Sequence, residues 1–193
     1  MPTPSAGLSI RLPSLVSARA ERAPRPSRLE EEVTALFDEL HHPVFRYLLS
    51  LGLPAEDGEE VVQETFLALF QHLLRGKPRS NLRGWVFRVA HNLALKRRRA
   101  NHGNLRVFVP CGETSGQGLD PTPSPEEQAL HRQRQQRLLA AVRALPEQDR
   151  NCLHLRAEGL RYREIAKVLG MSLGAVSLSL HRSLARLSRA CGR

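Results

Sequence analysis

A glycine turn in the last third of the chain separates two stretches that have the apolar spacing of helices. Before the turn, Ile165 and Leu169 lie four residues apart on one helical face, and the small Ala166 allows a second helix to cross close to it. Gly170 is able to adopt the positive φ that ends a helix, and Ser172 is a favourable N-cap for the next one. The segment therefore predicts two short helices joined by a tight turn.

After the turn, apolar residues recur every three or four positions, which predicts a helix with one buried face. That inner face is expected to comprise Val176, Leu180, Leu184 and Leu187. Together the two helices have the pattern of a helix-turn-helix, whose second helix enters a DNA major groove. A helical hairpin in an ordinary bundle would show similar spacing. The small residue, the glycine and the serine cap favour the DNA-binding interpretation.

The charge of the chain alternates in blocks. Among 193 residues there are 29 Lys and Arg against 19 Asp and Glu, which gives a net charge of +10. Residues 29–75 hold ten acidic and two basic side chains, whereas residues 76–106 hold nine basic and no acidic ones. A basic protein fits a polyanion, either nucleic acid or an acidic membrane surface. An acidic block inside it indicates a second partner that is a protein.

Several classes of protein are disfavoured by what the sequence lacks. It has no apolar run near the roughly 20 residues of a membrane span and no signal-peptide core at its start, so we expect a cytoplasmic protein without membrane insertion. Cys111, Cys152 and Cys191 are far apart and form no CxxC pair, which predicts neither a disulfide framework nor a metal site. No catalytic constellation is recognisable, so we expect no cofactor and no enzyme.

The distribution of apolar periodicity predicts an all-α fold of two small helical modules joined by a flexible linker. Residues 1–28, rich in Pro, Ser, Ala and Arg, are expected to be a disordered basic arm, and residues 29–102 the first module. Residues 103–128, rich in Gly and Pro, are expected to be the linker. Residues 129–193 form the second module, which carries the helix-turn-helix.

Four helices are predicted in the first module from its apolar stripes. The first begins near Leu29, and a second begins with Pro43 in its first turn, because proline is tolerated there. The third follows Gly52 and Pro54, and the fourth runs over about 82–99.

Three motifs, two in the first module and one in the second, carry a family resemblance. They are DGEEVVQETFL at 57–67, LRGWVFRVAHNLA at 82–94, and LPEQ at 145–148 followed by GLRYREIA at 159–166. In this order and spacing the chain resembles the bacterial extracytoplasmic-function (ECF) sigma factors of RNA polymerase, over about 33–102 and 130–190. The resemblance implies a transcription initiation factor that binds core RNA polymerase, directs it to specific promoters and assists promoter opening.

By this resemblance, the first motif would bind a coiled coil on the large polymerase subunit. The candidate residues lie at three- and four-residue steps on one helical face: Asp57, Glu60, Gln63 and Glu64. A charged stripe is often only a solvated surface. The acidic block within a basic chain favours a partner surface here.

The second motif is similar to the helix that engages the minus-ten promoter strand. Its candidates are Arg79, Asn81, Arg83, Arg88, Asn92, Lys96, Arg97 and Arg99. Arg and Lys neutralise phosphates, and Asn can hydrogen-bond a base edge. By resemblance, the preceding loop captures a flipped base, with Asn81 and Arg79 as candidates. The basic residues at 96–99 would also be favoured by the helix dipole alone.

The third motif resembles the module that reads the minus-thirty-five element. Its candidates are Arg161, Tyr162, Arg163, Ser172, Gly174, Ser177, Leu178, His181 and Arg182. The second helix departs from the family, because Ser177 and Ser179 stand where members often carry Lys or Arg. We therefore expect phosphate contacts from Arg161, Arg163 and Arg182 and weak base discrimination.

The remaining interpretations concern partners and alternatives. The acidic linker, with Glu113, Asp120, Glu126 and Glu127, would by resemblance thread towards the RNA exit path, or else serve as a spacer. An anti-sigma protein is implied by resemblance only. The charge alternation also suggests that the free protein masks its own DNA-binding surfaces. Two other classes remain open: a helix-turn-helix regulator acting without polymerase exchange, and an architectural protein that coats nucleic acid.

Overall fold

A computed structural model describes residues 27–100 and 125–191, in which all regular structure is helical. The all-α prediction is confirmed. The helices are α1 (Arg28–Ser50), α2 (Ala55–Leu74), α3 (Leu82–Ala100), α4 (Pro125–Arg143), α5 (Glu147–Ala157), α6 (Tyr162–Leu169) and α7 (Leu173–Cys191). The predicted N-terminal arm, except for its last two residues, and most of the predicted linker lie outside the described residues.

Helices α1, α2 and α3 form the first module. A capping box starts α1, in which Ser27 Oγ accepts from the Glu30 N–H at 3.3 Å and the Glu30 carboxylate accepts from the Ser27 N–H at 2.6 Å. Gly58 lets α2 approach α1 closely, since a Cβ there would lie 3.0 Å from the Phe45 ring. The buried apolar side chains of this module are Leu40, Val44, Tyr47, Leu48, Leu51, Leu53, Val61, Val62, Phe66, Leu69, Leu73, Val86, Phe87, Ala90 and Ala94.

The expectation that Pro43 begins a new helix is wrong, because α1 runs through it without a break. Proline inside a helix costs about 3 kcal/mol through the lost hydrogen bond and the clash of its ring. Leu40, Val44 and Leu48 are fully buried on one continuous face that spans Pro43. Each contributes about 1.5–3 kcal/mol of burial, so their packing outweighs the cost of the proline.

Helices α4 to α7 form the second module, and α6 and α7 are the predicted helix-turn-helix. Gly170 has φ 65° and ψ 30°, the left-handed conformation expected at the end of α6. Ser172 Oγ accepts from the Ala175 N–H at 3.2 Å and thereby caps α7. At the start of α6, the Glu164 carboxylate accepts from the Arg161 N–H at 2.6 Å. The glycine turn at Gly170 and the serine cap at Ser172 that the sequence predicted are therefore both confirmed.

The expected inner face of α7 is correct for Val176 and Leu180 but wrong for Leu184, which is 54% exposed. Ser179 and Ser183 are buried in its place. Ser179 Oγ donates to the buried Asp149 of α5 at 2.7 Å, and Ser183 Oγ donates to the Ser179 carbonyl at 2.9 Å. Because both hydroxyls donate a hydrogen bond, the serines enter the interior without the cost of unpaired burial.

The two modules pack against each other. Helix α3 lies against α6, α1 also contacts α5, and the buried side chains of both modules form one continuous cluster. Ion pairs join Arg46 to Glu158 and Arg98 to Glu147 across the boundary. In the two described ranges, no helix has the length and apolar character needed to cross a membrane.

Candidate nucleic-acid and protein interfaces

The four residues predicted to bind polymerase form an acidic stripe along α2, comprising Asp57, Glu60, Gln63 and Glu64. The side chains of Glu60 and Glu64 are 59% and 51% exposed, and Gln63 is exposed between them. Asp57 is more enclosed, at 19%. The stripe therefore presents two accessible carboxylates and one amide to a partner.

Arg97, which is one of the predicted DNA ligands, lies among the carboxylates of the acidic stripe. Its Nη1 donates to Glu60 at 2.6 Å and to Asp57 at 3.4 Å, and its Nη2 donates to Glu64 at 3.1 Å. The hydrogen bond to Glu60 is the main reason that the pKa of Arg97 is raised. The sequence could have predicted this position. Arg97 follows the small residues Ala90 and Ala94 at spacings of seven and three, so it shares their helical face, and both alanines are buried in the fold.

Three other candidates on α3 form an exposed row. Arg88, Asn92 and Lys96 are four residues apart and all exposed, so they project from one face. This α3 row offers two cations for phosphates and one amide for a base edge. Arg99 is also exposed, at the end of the same helix.

The candidates that precede the α3 row have structural partners of their own. Asn81, with φ 57°, accepts from the Gly84 N–H through its Oδ1 at 3.2 Å and so caps α3. Gly84 makes this approach possible, since a Cβ there would lie 2.6 Å from Asn81 Nδ2. Arg79 pairs with Glu32 at 3.1 Å.

A cleft lies where α3 meets α6. Ser80, Asn81, Gly84, Trp85 and Arg88 line it from the first module, and Glu164 and Lys167 line it from the second. We call this the α3–α6 cleft. Trp85 is half-buried and packs on His72 with ring centroids 4.6 Å apart, which is consistent with a packing role. The flipped-base candidate Asn81 thus faces a space that the second module partly closes.

On the second module, the helix-turn-helix presents a groove between the start of α6 and the start of α7. It is lined by Arg161, Tyr162, Arg163, Leu173, Gly174 and Ser177. Farther along α7, Leu178 is 55% exposed and His181 is exposed. Five of the nine predicted residues therefore line this groove, and the hydroxyl of Ser172 caps the helix.

Two features of this surface were not anticipated. Arg182 is 54% exposed, but its Nη2 also lies 3.2 Å from Oδ1 of the buried Asp149, which holds the guanidinium near α5. Leu173 is 47% exposed in the groove. Its position directly after the Ser172 cap was a signal for that placement, since the first residues of such a helix point towards DNA.

Buried titratable groups elsewhere have structural roles. Tyr47 OH and His91 Nδ1 are hydrogen-bonded at 2.8 Å, and burial raises the pKa of Tyr47 and lowers that of His91. Across the described part of the chain, no three His, Cys, Asp or Glu side chains are grouped so as to hold a metal ion.

Comparison with known sequence families agrees with this geometry. The family described as "Sigma-70 region 2" matches residues 36–103, and "Sigma-70, region 4" matches residues 135–187. The first match contains the acidic stripe and α3, and the second contains the helix-turn-helix.

Individual relatives are similar over most of the chain. It is 33% identical over 147 residues to the ECF RNA polymerase sigma factor SigE of Mycolicibacterium smegmatis, covering 75% of this chain and 55% of that protein. It is 32% identical over 156 residues to SigL of Mycobacterium tuberculosis, covering 79% of this chain and 85% of that protein. It spans 32% of the probable sigma factor RfaY of Xanthomonas campestris. The chain belongs to the ECF family of RNA polymerase sigma factors.

Solved structures share the fold. CnrH in complex with the cytosolic domain of CnrY has a TM-score of 0.55 at 24% identity, covering 82% of this chain and 86% of that one. The sigma factor RpoE of Bartonella quintana in complex with the anti-sigma factor NepR has a TM-score of 0.54 at 21% identity, covering 81% and 96%.

Proposed function

We propose that this protein is a cytoplasmic promoter-specificity subunit, which binds core RNA polymerase, directs it to specific promoters and helps to open the DNA. It contributes recognition, and the bond-making chemistry belongs to the polymerase. The observation that carries the proposal is the separation of three surfaces on one chain: the acidic stripe on α2, the α3 row, and the groove of the helix-turn-helix. A protein that joins polymerase to two promoter elements needs all three.

The acidic stripe would bind the polymerase. Glu60 and Glu64 are exposed carboxylates one helical turn apart, which suits a basic helical partner. Arg97 hydrogen-bonds to both and limits the number of orientations they adopt. It therefore acts as a positioning residue for the docking surface.

The α3 row would engage the minus-ten strand. Arg88 and Lys96 would neutralise phosphates, and Asn92 between them would meet a base edge. Asn81 lies at the neighbouring α3–α6 cleft, and its Oδ1 already accepts one hydrogen bond from the Gly84 N–H, so its two Nδ2 donors and one remaining lone pair of Oδ1 would be available to a flipped base.

The helix-turn-helix would bind the upstream element largely through the backbone. Arg161 and Arg163 are exposed at the start of α6 and are placed for phosphates. Arg182 is partly held by Asp149, and the other exposed side chains that α7 would offer to bases, Leu173, Ser177, Leu178 and His181, include no Lys or Arg. We therefore expect binding-site selection on this module to return an upstream element of low information content.

An anti-sigma protein is a further expected partner. One of the similar solved structures is of the sigma factor RpoE in complex with the anti-sigma factor NepR, and another is of CnrH in complex with the cytosolic domain of CnrY. A protein of this class would cover the surfaces described above.

The proposal is tested by run-off transcription from a promoter library with core polymerase, in the presence and absence of the protein. New start sites should appear with the wild type and disappear with the double variant Glu60→Lys/Glu64→Lys. The matched control Glu31→Lys/Asp38→Lys makes the same charge change on exposed residues of α1, and should retain the start sites.

Two other outcomes would favour other classes. No new start sites, with sequence-specific DNA binding retained by the full chain, would identify a conventional helix-turn-helix regulator. Uniform affinity for all DNA sequences with a steep salt dependence would identify a coating protein.

A further inference from the structure

A buried carboxylate of α5 contacts the second helix of the helix-turn-helix. We propose that Asp149 is a positioning residue for promoter recognition, which holds Arg182 of α7 so that this arginine recognises one guanine of the upstream element instead of a phosphate. The sequence alone favoured a phosphate contact for Arg182. The inference rests on the proposed function for the role of α7 in reading DNA, and it adds the residue that determines the base preference of that helix.

Asp149 is fixed inside the second module. It lies in the first turn of α5, where the positive end of the helix dipole favours a carboxylate, and it is 4% exposed. Ser179 Oγ of α7 donates to Asp149 Oδ1 at 2.7 Å, and Ser179 is itself buried. A serine hydroxyl supplies one hydrogen bond but no positive charge. The charge of the carboxylate is therefore left for Arg182.

Arg182 lies between this carboxylate and the solvent. Its Nη2 donates to Asp149 Oδ1 at 3.2 Å, while its side chain is 54% exposed. A guanidinium has five N–H donors in a planar fork, so one contact to Asp149 leaves others for a ligand outside the protein. Gly174, Leu178 and Arg182 follow each other at four-residue steps, and Gly174 lines the groove of the helix-turn-helix. Arg182 therefore belongs to the side of α7 that would meet DNA.

The ion pair changes which ligand suits the guanidinium. Binding to phosphates depends on positive charge, because it releases counterions from the DNA, and an arginine paired with a carboxylate brings little net charge. Guanine instead offers two neutral acceptors, O6 and N7, which match two N–H donors in one plane. Contact with Asp149 also restricts the rotamers of the arginine, so less conformational entropy is lost on binding. The paired Arg182 is therefore a poor phosphate ligand and a good guanine ligand.

The other side chains of this surface make Arg182 decisive for base preference. Residues 173–182 of α7 contain no other Lys or Arg. Arg161 and Arg163 are exposed at the start of α6, where they are placed for phosphates. We therefore expect an upstream element in which one guanine is strongly specified and the neighbouring positions are weakly specified.

The inference is tested by selection from a pool of double-stranded DNA with a randomised segment, using the full chain with and without core polymerase. The wild type should enrich a guanine at one position, and Arg182→Ala should lose this preference. On the selected sequence, replacing that G·C pair by A·T should weaken wild-type binding about tenfold. Asp149→Asn keeps an acceptor for Ser179 but removes the charge, and it should reduce this factor to about twofold.

Salt dependence separates positioning of Arg182 from a general structural effect. Once Arg182 is released it gains a phosphate, so Asp149→Asn should increase the magnitude of d log K/d log[salt] by up to about 0.9 while the guanine preference falls. Damage to the fold, which circular dichroism detects, would lower both quantities. Ser179→Ala frees the carboxylate to move but keeps its charge, and should lower the guanine preference without increasing the slope. Glu126→Gln removes the same charge at an exposed position of α4 and should leave the preference unchanged.

A double-mutant cycle shows whether Asp149 acts through Arg182. In the Arg182→Ala background, Asp149→Asn should change neither the guanine preference nor the slope. Equal effects of Asp149→Asn with and without Arg182, or a wild type that enriches no guanine dependent on Arg182, would overturn the inference. Enrichment of that guanine by the chain alone, with no start sites in the run-off experiment, would remove the promoter function and leave the role of Asp149 in DNA recognition in place.

Discussion

Single residues set the angle between the two helices of the helix-turn-helix. Gly170 has a left-handed backbone at the end of α6, and Ser172 caps α7 two residues later. The next glycine, Gly174, is helical, and a Cβ added there would have no neighbour within 4 Å. The backbone at position 170 therefore favours glycine, whereas position 174 has room for a side chain.

We expect Gly170→Ala to lower the free energy of unfolding by about 1–2 kcal/mol, because a Cβ is strained at φ 65°. Gly174→Ala should raise it by about 0.5–1 kcal/mol, because alanine loses less entropy in a helix. Urea denaturation of both variants checks the pair. Equal effects of the two substitutions would contradict the assigned turn.

His154 makes stability dependent on pH. Burial, with a smaller contribution from Arg150, lowers the pKa of His154 from 6.5 to about 4. The folded protein therefore favours the neutral ring, so no penalty exists well above pH 6.5. As the pH falls below that value the unfolded chain gains protons first. Stability is lost progressively until the folded pKa of about 4 is reached.

Between about pH 7.5 and pH 5, His154 should account for a loss of about 2 kcal/mol in the free energy of unfolding. His154→Gln removes this titration and should flatten the dependence by that amount. Urea denaturation at the two pH values measures it, with His42→Gln, an exposed histidine of α1, as the control. An unaltered pH dependence in His154→Gln would show that the ring is not buried in solution.

Among the helices, α3 has two faces with different surroundings, one packed on α2 and one exposed. Its inner edge carries Arg97 to the acidic stripe, and its outer face carries the α3 row of Arg88, Asn92 and Lys96. Basic residues that look equivalent along the sequence are therefore divided between an ion-paired position on the acidic stripe and an exposed row, for which we propose DNA binding.

Arg88→Ala should reduce the magnitude of the salt dependence of promoter binding, d log K/d log[salt], by about 0.7–0.9, because one phosphate contact is lost. Arg97→Ala should leave this slope unchanged, because its guanidinium is occupied by carboxylates. The slopes are measured by titrating holoenzyme, at saturating core polymerase, on a promoter found in the run-off experiment. A reduced slope for Arg97→Ala would return that residue to the DNA-binding set.

At the scale of the molecule, two ion pairs join α5 and its C-cap residue to the first module, Arg46–Glu158 and Arg98–Glu147. Their outer partners are accessible to salt: the Arg46 side chain is 51% exposed and that of Glu147 is 54% exposed. Screening weakens such pairs, since the Debye length falls from about 14 Å at 0.05 M to about 4 Å at 0.5 M ionic strength.

We therefore expect the two modules to separate as KCl is raised over this range. A donor–acceptor dye pair, attached through noncanonical amino acids at the exposed positions Gln71 on α2 and Ser188 on α7, measures the separation. The double variant Arg46→Ala/Glu147→Ala, which lacks one partner of each pair, should already have separated modules at low salt, and its dye separation should change little with salt. A wild-type separation that does not change with salt would show that other contacts hold the modules together.

The features that could be read from the sequence depend on neighbours along the chain. Helix periodicity, the Gly170 turn, the Ser172 cap and the exposure of Leu178 and His181 all follow from side chains within one or two turns, so local patterns were sufficient. The same holds for the acidic stripe, whose members share a face because of their spacing on α2. Family motifs then extended these local patterns to polymerase and promoter.

Other features depend on groups that come from distant helices, and these required the folded structure. Arg97 meets Asp57, Glu60 and Glu64 only because α3 packs on α2. The buried face of α7 turns to Ser179 because Asp149 of α5 is there to accept its hydrogen bond. Glu158 meets Arg46 across 112 positions of sequence. A charge or a hydroxyl has a favourable place in a protein only where its partner stands, and no local pattern specifies a partner that another helix supplies.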